Sequence, residues 1–176
     1  MAENLAENLA GRVVELLKSR GETLAFCESL TAGLASATIA EIPGASVVLK
    51  GGLVTYATEL KVALAGVPQE LIDAHGVVSP QCARAMATGA AHRCQADWAV
   101  SLTGVAGPSE QDGHPVGEVW IGVAGPAHFG ASGTIDAYRA FESEQQVILA
   151  ELGRHHIRES AVQQSFRLLI DHIESQ

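Results

Sequence analysis

Three short stretches hold the residues whose types and spacing could do chemistry. They are Glu28-Ser29-Leu30-Thr31-Ala32-Gly33, then Val54-Thr55-Tyr56 with Lys61, then Thr103-Gly104-Val105-Ala106-Gly107-Pro108 with Pro115-Val116-Gly117. Ser29 falls where a strand is expected to turn into a helix. There a hydroxyl is exposed beside the free backbone N–H groups of the helix start, which can stabilise an oxyanion. A serine hydroxyl is a weak nucleophile and needs a base. No histidine is placed for that task, but Lys61 can do it if it is neutral, which requires desolvation or nearby positive potential. Lys61 is expected in the first turn of a helix capped by Thr58, where the dipole lowers a lysine pKa. Tyr56, at the preceding strand end, can relay or orient the proton.

Each residue alone has a plainer reading. A serine before a helix is more often an N-cap. A lysine in a first turn is usually solvated, a tyrosine at a strand end usually packs, and Gly-rich loops are usually turns. Glu28 either faces a ligand or holds the turn. Only the joint occurrence raises the chemical reading above these.

The elements that must position these groups follow from periodicity. Leu5, Leu9, Val13, Leu16 and Leu17 predict a first helix, ended by Gly21. A buried strand is expected over 23–27, a small-residue helix over 34–42, and a strand over 49–56. Pro68 opens a short helix ending at Gly76, and Ser79-Pro80 starts another that runs to about Cys94. Strands are expected over 98–103, 118–124 and about 129–135, with a loop over 104–117. The last forty residues read mostly as helix, broken near Gly153, with Ile157, Ala161, Ser165, Leu168, Leu169 and Ile173 on the buried face of the final one. Alternating helices and strands predict one α/β domain over 1–176, a three-layer α/β/α arrangement with a mixed sheet.

Composition narrows the function. Eleven Lys and Arg face twenty Asp and Glu, a formal charge of −9 with no basic cluster, so nucleic acid is not an expected partner. A small anionic substrate is compatible, because a pocket on an acidic protein can still be positive. Cys27, Cys82 and Cys94 make an odd count, residues 1–10 lack the basic start and apolar run of a signal peptide, and no apolar stretch nears the ~20 residues of a membrane span. A cytoplasmic protein with reduced thiols and no membrane partner is expected. The histidines and cysteines show no metal-ligand spacing, and His155-His156 point to different helix faces, so no metal and no cofactor are expected. The loop at 103–108 lacks the pattern of a triphosphate-binding loop.

The three stretches together resemble the CinA C-terminal family, whose stand-alone members include nicotinamide mononucleotide deamidases. All fixed positions of its E-S-x-T-x-G, V-T-Y with lysine five residues on, and T-G-x-A-G-P with P-V-G motifs match. The resemblance runs from about Thr23 to Ala124 and resumes in the last helix. It implies an amidohydrolase in which Ser29 is the nucleophile, Lys61 the base and Tyr56 the assisting hydroxyl. It further implies that Glu28, Thr31, Gly33, Thr103, Gly104, Ala106, Gly107 and Arg154 serve the substrate. The loop at 103–107 would hold a phosphate or the pyridine carboxamide. The family's G-D-R with an arginine four residues later corresponds to Gly153-Arg154 and Arg158, with Leu152-Gly153 in place of Gly-Asp. Arg154 would bind phosphate, with Arg139 as the alternative. A homodimer or higher homo-oligomer is implied, and a non-catalytic ligand-binding or interaction module of the same fold is the competing reading.

Overall fold

A computed structural model of the chain describes the backbone of residues 2–126, 133 and 135–176, and the side chains of the same residues apart from 2–5 and 7. Among the described residues five strands form one sheet in the order β2-β1-β3-β4-β5. They are β1 (Leu24–Glu28), β2 (Leu49–Val54), β3 (Trp98–Gly104), β4 (Val119–Ala124) and β5 (Ile135–Arg139). β1 pairs parallel with both β2 and β3, while β4 and β5 add on antiparallel. The expected strand over about 129–135 lies mostly outside the described residues, and β5 begins at its last residue, Ile135.

Alternation along the strands sorts side chains between two helical layers. Leu24 and Phe26 of β1, with Trp98, Val100 and Leu102 of β3, join the larger core. That core is covered by α1 (Ala2–Arg20), α2 (Leu34–Ala40) and α7 (Arg154–Glu174). Ala25, Cys27 and Ala99 point the other way, toward α4 (Gln69–His75) and α5 (Pro80–Cys94). The α5 face is lined by small residues, so that helix sits very close to the sheet. A Cβ on Gly122 of β4 would stand 2.3 Å from the Ala83 carbonyl of α5. Helices therefore flank a mixed sheet, the expected three-layer α/β/α fold.

The local start and stop signals act as their chemistry dictates. Ser79 caps α5, accepting the Cys82 N–H at 3.1 Å, with Pro80 at the first helical position. On the last helix Ile157, Ala161, Ser165, Leu169 and Ile173 are buried, joined by Val162 and Phe166, whereas Leu168 is partly buried. α3 (Thr58–Ala63) differs from expectation. Its N-cap is Ala57, with no side-chain bond, and Lys61 lies in its last turn. Gly153 separates α7 from α6 (Ser143–Leu152). Among the described residues, no helix is long and apolar enough to cross a membrane.

The parallel pairing positions the site. Because β2, β1 and β3 run the same way, the segments after each strand emerge at one edge of the sheet. The chain passes from β1 to β2 on one side and returns to β3 on the other, so a crevice opens at the reversal of strand order. Ser29, Tyr56 and the loop after Gly104 follow these three strands in turn.

Candidate active site

Ser29 is anchored at the end of β1 by its own N–H, which donates to Leu102 O at 2.9 Å. Beside it, the N–H of Thr55 donates to Glu28 O at 2.8 Å, so the exits of β1 and β2 stay in register. Lys61 turns inward from α3 and is only 2% exposed. Its Nζ donates to Ser29 Oγ at 3.1 Å and to Thr55 O at 2.8 Å. Among the described residues, no carboxylate forms an ion pair with it. Burial holds the Lys61 ammonium below the ordinary lysine value. The groups that oppose the shift are the thiols of Cys82 and Cys27, whose anions would favour the charged lysine, and then the Glu59 carboxylate. Burial pushes both thiols up to about 11, so they are neutral at pH 7 and give Lys61 no anion. The cause of the lysine shift is therefore desolvation. The first-turn dipole expected from sequence does not apply, since Lys61 lies in the last turn of a six-residue helix.

A cavity of about 540 Å³, counting the solvent at its mouth, opens over Ser29 and Lys61. Thr103, Gly104, Ala106, Gly107, Tyr56 and Arg154 all line it. Tyr56 is 54% exposed, and its hydroxyl accepts a hydrogen bond from Arg154 Nη2; it makes none to Ser29 or Lys61. Arg154 Nη1 also donates to Gly107 O at 2.6 Å. The Arg154 guanidinium and the Lys61 amine thus face one small cavity in a chain of net charge −9.

Several expected contacts fall elsewhere. Glu28, Thr31 and Gly33 do not line the cavity. The Glu28 carboxylate, 1% exposed, accepts the N–H groups of Gly33, Ala35 and Ser36 at 2.9–3.0 Å and the Ser36 hydroxyl at 2.7 Å. It caps α2 and holds the turn. The same bonds consume the helix-start amides that were expected to serve an oxyanion beside Ser29. Thr31 is fully buried, with its hydroxyl unpartnered. Arg139 pairs with Glu118 at 3.5 Å and lies over the Trp120 ring, away from the cavity. His114 bonds Glu118 as well, at 3.1 Å.

The loop over 104–117 folds back on itself. The Val105 N–H donates to Glu118 O at 2.9 Å and the Gly117 N–H to Val105 O at 2.8 Å. The legs are so close that a Cβ on Gly104 would meet Glu118 O at 2.3 Å, and one on Gly107 would meet Val116 Cγ1 at 2.8 Å. These glycines permit the close approach. Among the described residues, the N–H groups of Ala106 and Gly107 have no acceptor, and both residues line the cavity. With the Leu30 N–H beside Ser29, which also has no acceptor among the described residues and whose residue lines the same cavity, they can receive a developing negative charge.

The sequence reading missed other lining residues, Thr58, Val77, Ser109 and Gln111 among them. Val77 is tied to the expected residue Thr103, whose Oγ1 donates to Val77 O at 2.7 Å. Among the described residues, no group of His, Cys, Asp and Glu side chains is clustered to hold a metal ion.

The CinA C-terminal domain family matches residues 6–173. The chain belongs to the CinA C-terminal domain family. A competence-damage inducible protein of Listeria welshimeri is 40% identical over 168 residues, which are 96% of this chain and 37% of that protein. The chain therefore spans well under half the length of that relative. The crystal structure of the competence/damage inducible protein CihA from Agrobacterium tumefaciens is 32% identical with a TM-score of 0.81, covering 95% of this chain and 94% of that one. A CinA superfamily protein from Klebsiella pneumoniae, at 26% identity, has the same TM-score, with coverage of 97% and 99%. The CinA fold thus extends over nearly the whole chain.

Proposed function

We propose that the chain is an amidohydrolase that removes the carboxamide nitrogen of nicotinamide mononucleotide, giving nicotinate mononucleotide and ammonia. The observation that carries the reading is the buried Lys61 Nζ, with no carboxylate ion pair among the described residues, 3.1 Å from Ser29 Oγ at the floor of a cavity. A lysine whose ammonium is disfavoured by burial is suited to accept a proton. Neutral Lys61 takes the Ser29 proton as Oγ attacks the carboxamide carbon. The carbonyl oxygen becomes negative and is received by amides on the loop wall, of which Ala106 and Gly107 are unengaged. Collapse of the intermediate breaks the C–N bond, and Lys61 returns the proton to the departing nitrogen, so ammonia leaves. Water then attacks the acyl-Ser29 ester with Lys61 again as base, regenerating the serine and releasing the carboxylate.

Arg154 suits the phosphate end of such a substrate. It already donates to neutral oxygens of Tyr56 and Gly107, and a phosphate offers the same guanidinium a charged acceptor. Tyr56 then acts at the mouth with Arg154 rather than as a relay between Ser29 and Lys61. The direct test is ammonia release from nicotinamide mononucleotide by the intact protein and by Ser29→Ala. The reading requires release by the first and none by the second, with both folded. An intact protein that releases no ammonia over a wide pH range would reject the substrate.

A further inference from the structure

The chain reversal that carries Ser29 is tight. Ala32 and Gly33 follow each other with φ of 51° and 96°, and the former is not a glycine. From the α2 side the turn is held by Glu28, which engages residues 33, 35 and 36 but neither of the two peptides directly after Ser29. Those two are held from α7. Arg158 Nε donates to Leu30 O at 2.9 Å and Arg158 Nη2 to Thr31 O at 2.8 Å. One edge of one guanidinium thus spans both carbonyls, a rigid fork that an ammonium cannot reproduce. Among the described residues Leu30 O has no other donor, whereas Thr31 O also receives the Leu34 N–H. Arg158 forms no ion pair among the described residues. It lies one helical turn beyond Arg154, which engages Tyr56 and Gly107. The first two turns of α7 therefore clamp all three segments that emerge from the parallel strands.

We propose that Arg158 is a positioning residue for the nucleophile: by fixing the carbonyls of Leu30 and Thr31 it holds Ser29 Oγ against Lys61 Nζ. The inference rests on the reading of Ser29 as nucleophile, but not on the identity of the amide. A displaced nucleophile loses rate steeply, by about a hundredfold for ~1 Å. Arg158→Met keeps the aliphatic stem while removing the fork, and so separates packing from positioning.

The test is the rate at which a fluorophosphonate probe labels Ser29, followed by mass spectrometry on the intact protein. In that reaction the Oγ–P bond forms, fluoride leaves, and the serine proton passes to Lys61. Arg158→Met should label at least about tenfold more slowly than the native protein at a temperature where both are folded. Arg158→Lys, able to reach one carbonyl at a time, should fall between them. A merely structural Arg158 would lower the melting temperature and leave the labelling rate of the folded protein unchanged. Equal rates for Arg158→Met and the native protein overturn the proposal while leaving Ser29 as nucleophile. If Arg158→Met melts too low to assay, an Arg158→Lys rate equal to native overturns it instead. Failure of the native protein to label at Ser29 removes the nucleophile, and the proposal with it. Slow labelling in the variant, with no ammonia released by the native protein, upholds the proposal and rejects only the substrate.

Discussion

Glu28 and Lys61 are both buried ionisable residues, one at the end of β1 and the other in α3 beyond β2, yet their surroundings are opposite. The Glu28 carboxylate accepts three backbone N–H groups and a hydroxyl. Among the described residues the Lys61 ammonium, which has three N–H donors, reaches only two neutral oxygens. Burial is nearly equal, 1% and 2% exposure, so burial alone does not distinguish structure from chemistry. Saturation does. A charge whose hydrogen-bonding capacity is filled stiffens the fold. One left short is held in the form that burial disfavours, and is ready to give up its proton.

The contrast can be broken most forcibly at Glu28. Glu28→Gln presents an amide N–H₂ to a ring of donors and removes the charge that strengthens their bonds. The expected loss is about 3 kcal/mol or more of stability, read from the denaturant midpoint. A variant within about 0.5 kcal/mol of native would show that the cap does not depend on charge.

Lys61→Met should behave in the opposite way. Its folded-state pKa lies below the unfolded value, so below the folded pKa the native protein carries the full cost of a buried ammonium. As pH rises between the two values the unfolded chain binds more protons than the folded one, and native stability increases. The cost is gone once pH exceeds the ordinary lysine value near 10.4. Lys61→Met should therefore melt at or above native at pH 7, with the gap moving in favour of the native protein toward pH 10. A pH-independent gap would mean that Lys61 is not held against its charge.

Thr31→Val is the smallest change and sharpens the same distinction. It deletes a buried hydroxyl without a partner and preserves shape. A gain of up to about 1 kcal/mol is expected, with turnover unchanged. A raised KM would restore Thr31 as a substrate contact.

Much of this was readable from sequence where local chemistry decides. Ser79-Pro80 set a helix start and Gly153 a break, because each signal acts within a few residues. The β5 strand was not read beyond Ile135 because Ile135–Arg139 is an edge strand without a clean period-two burial pattern. The three motifs marked the chain segments at the cavity. They did not distinguish Glu28, which points under the turn, from Ser29, which points into the cavity, since adjacent residues of a strand end face opposite ways. Nor did they give the cause of the Lys61 shift. Its burial comes from α3 settling beside Cys27 and Cys82, whose positions are set by β1 and α5. Arg158 matched a family spacing but had no legible target, because its acceptors are backbone carbonyls 127 and 128 residues away.

The central claim, that Lys61 is the neutral base for Ser29, is tested most directly by ammonia release from nicotinamide mononucleotide as a function of pH, for the native protein and Lys61→Arg. The account predicts that native turnover rises through one ionisation below the ordinary lysine value. It predicts that Lys61→Arg, which keeps the charge but cannot deprotonate, loses on the order of a thousandfold at every pH. A substantial rate in Lys61→Arg, with the same rise, would contradict it and make Lys61 an electrostatic contact rather than the base.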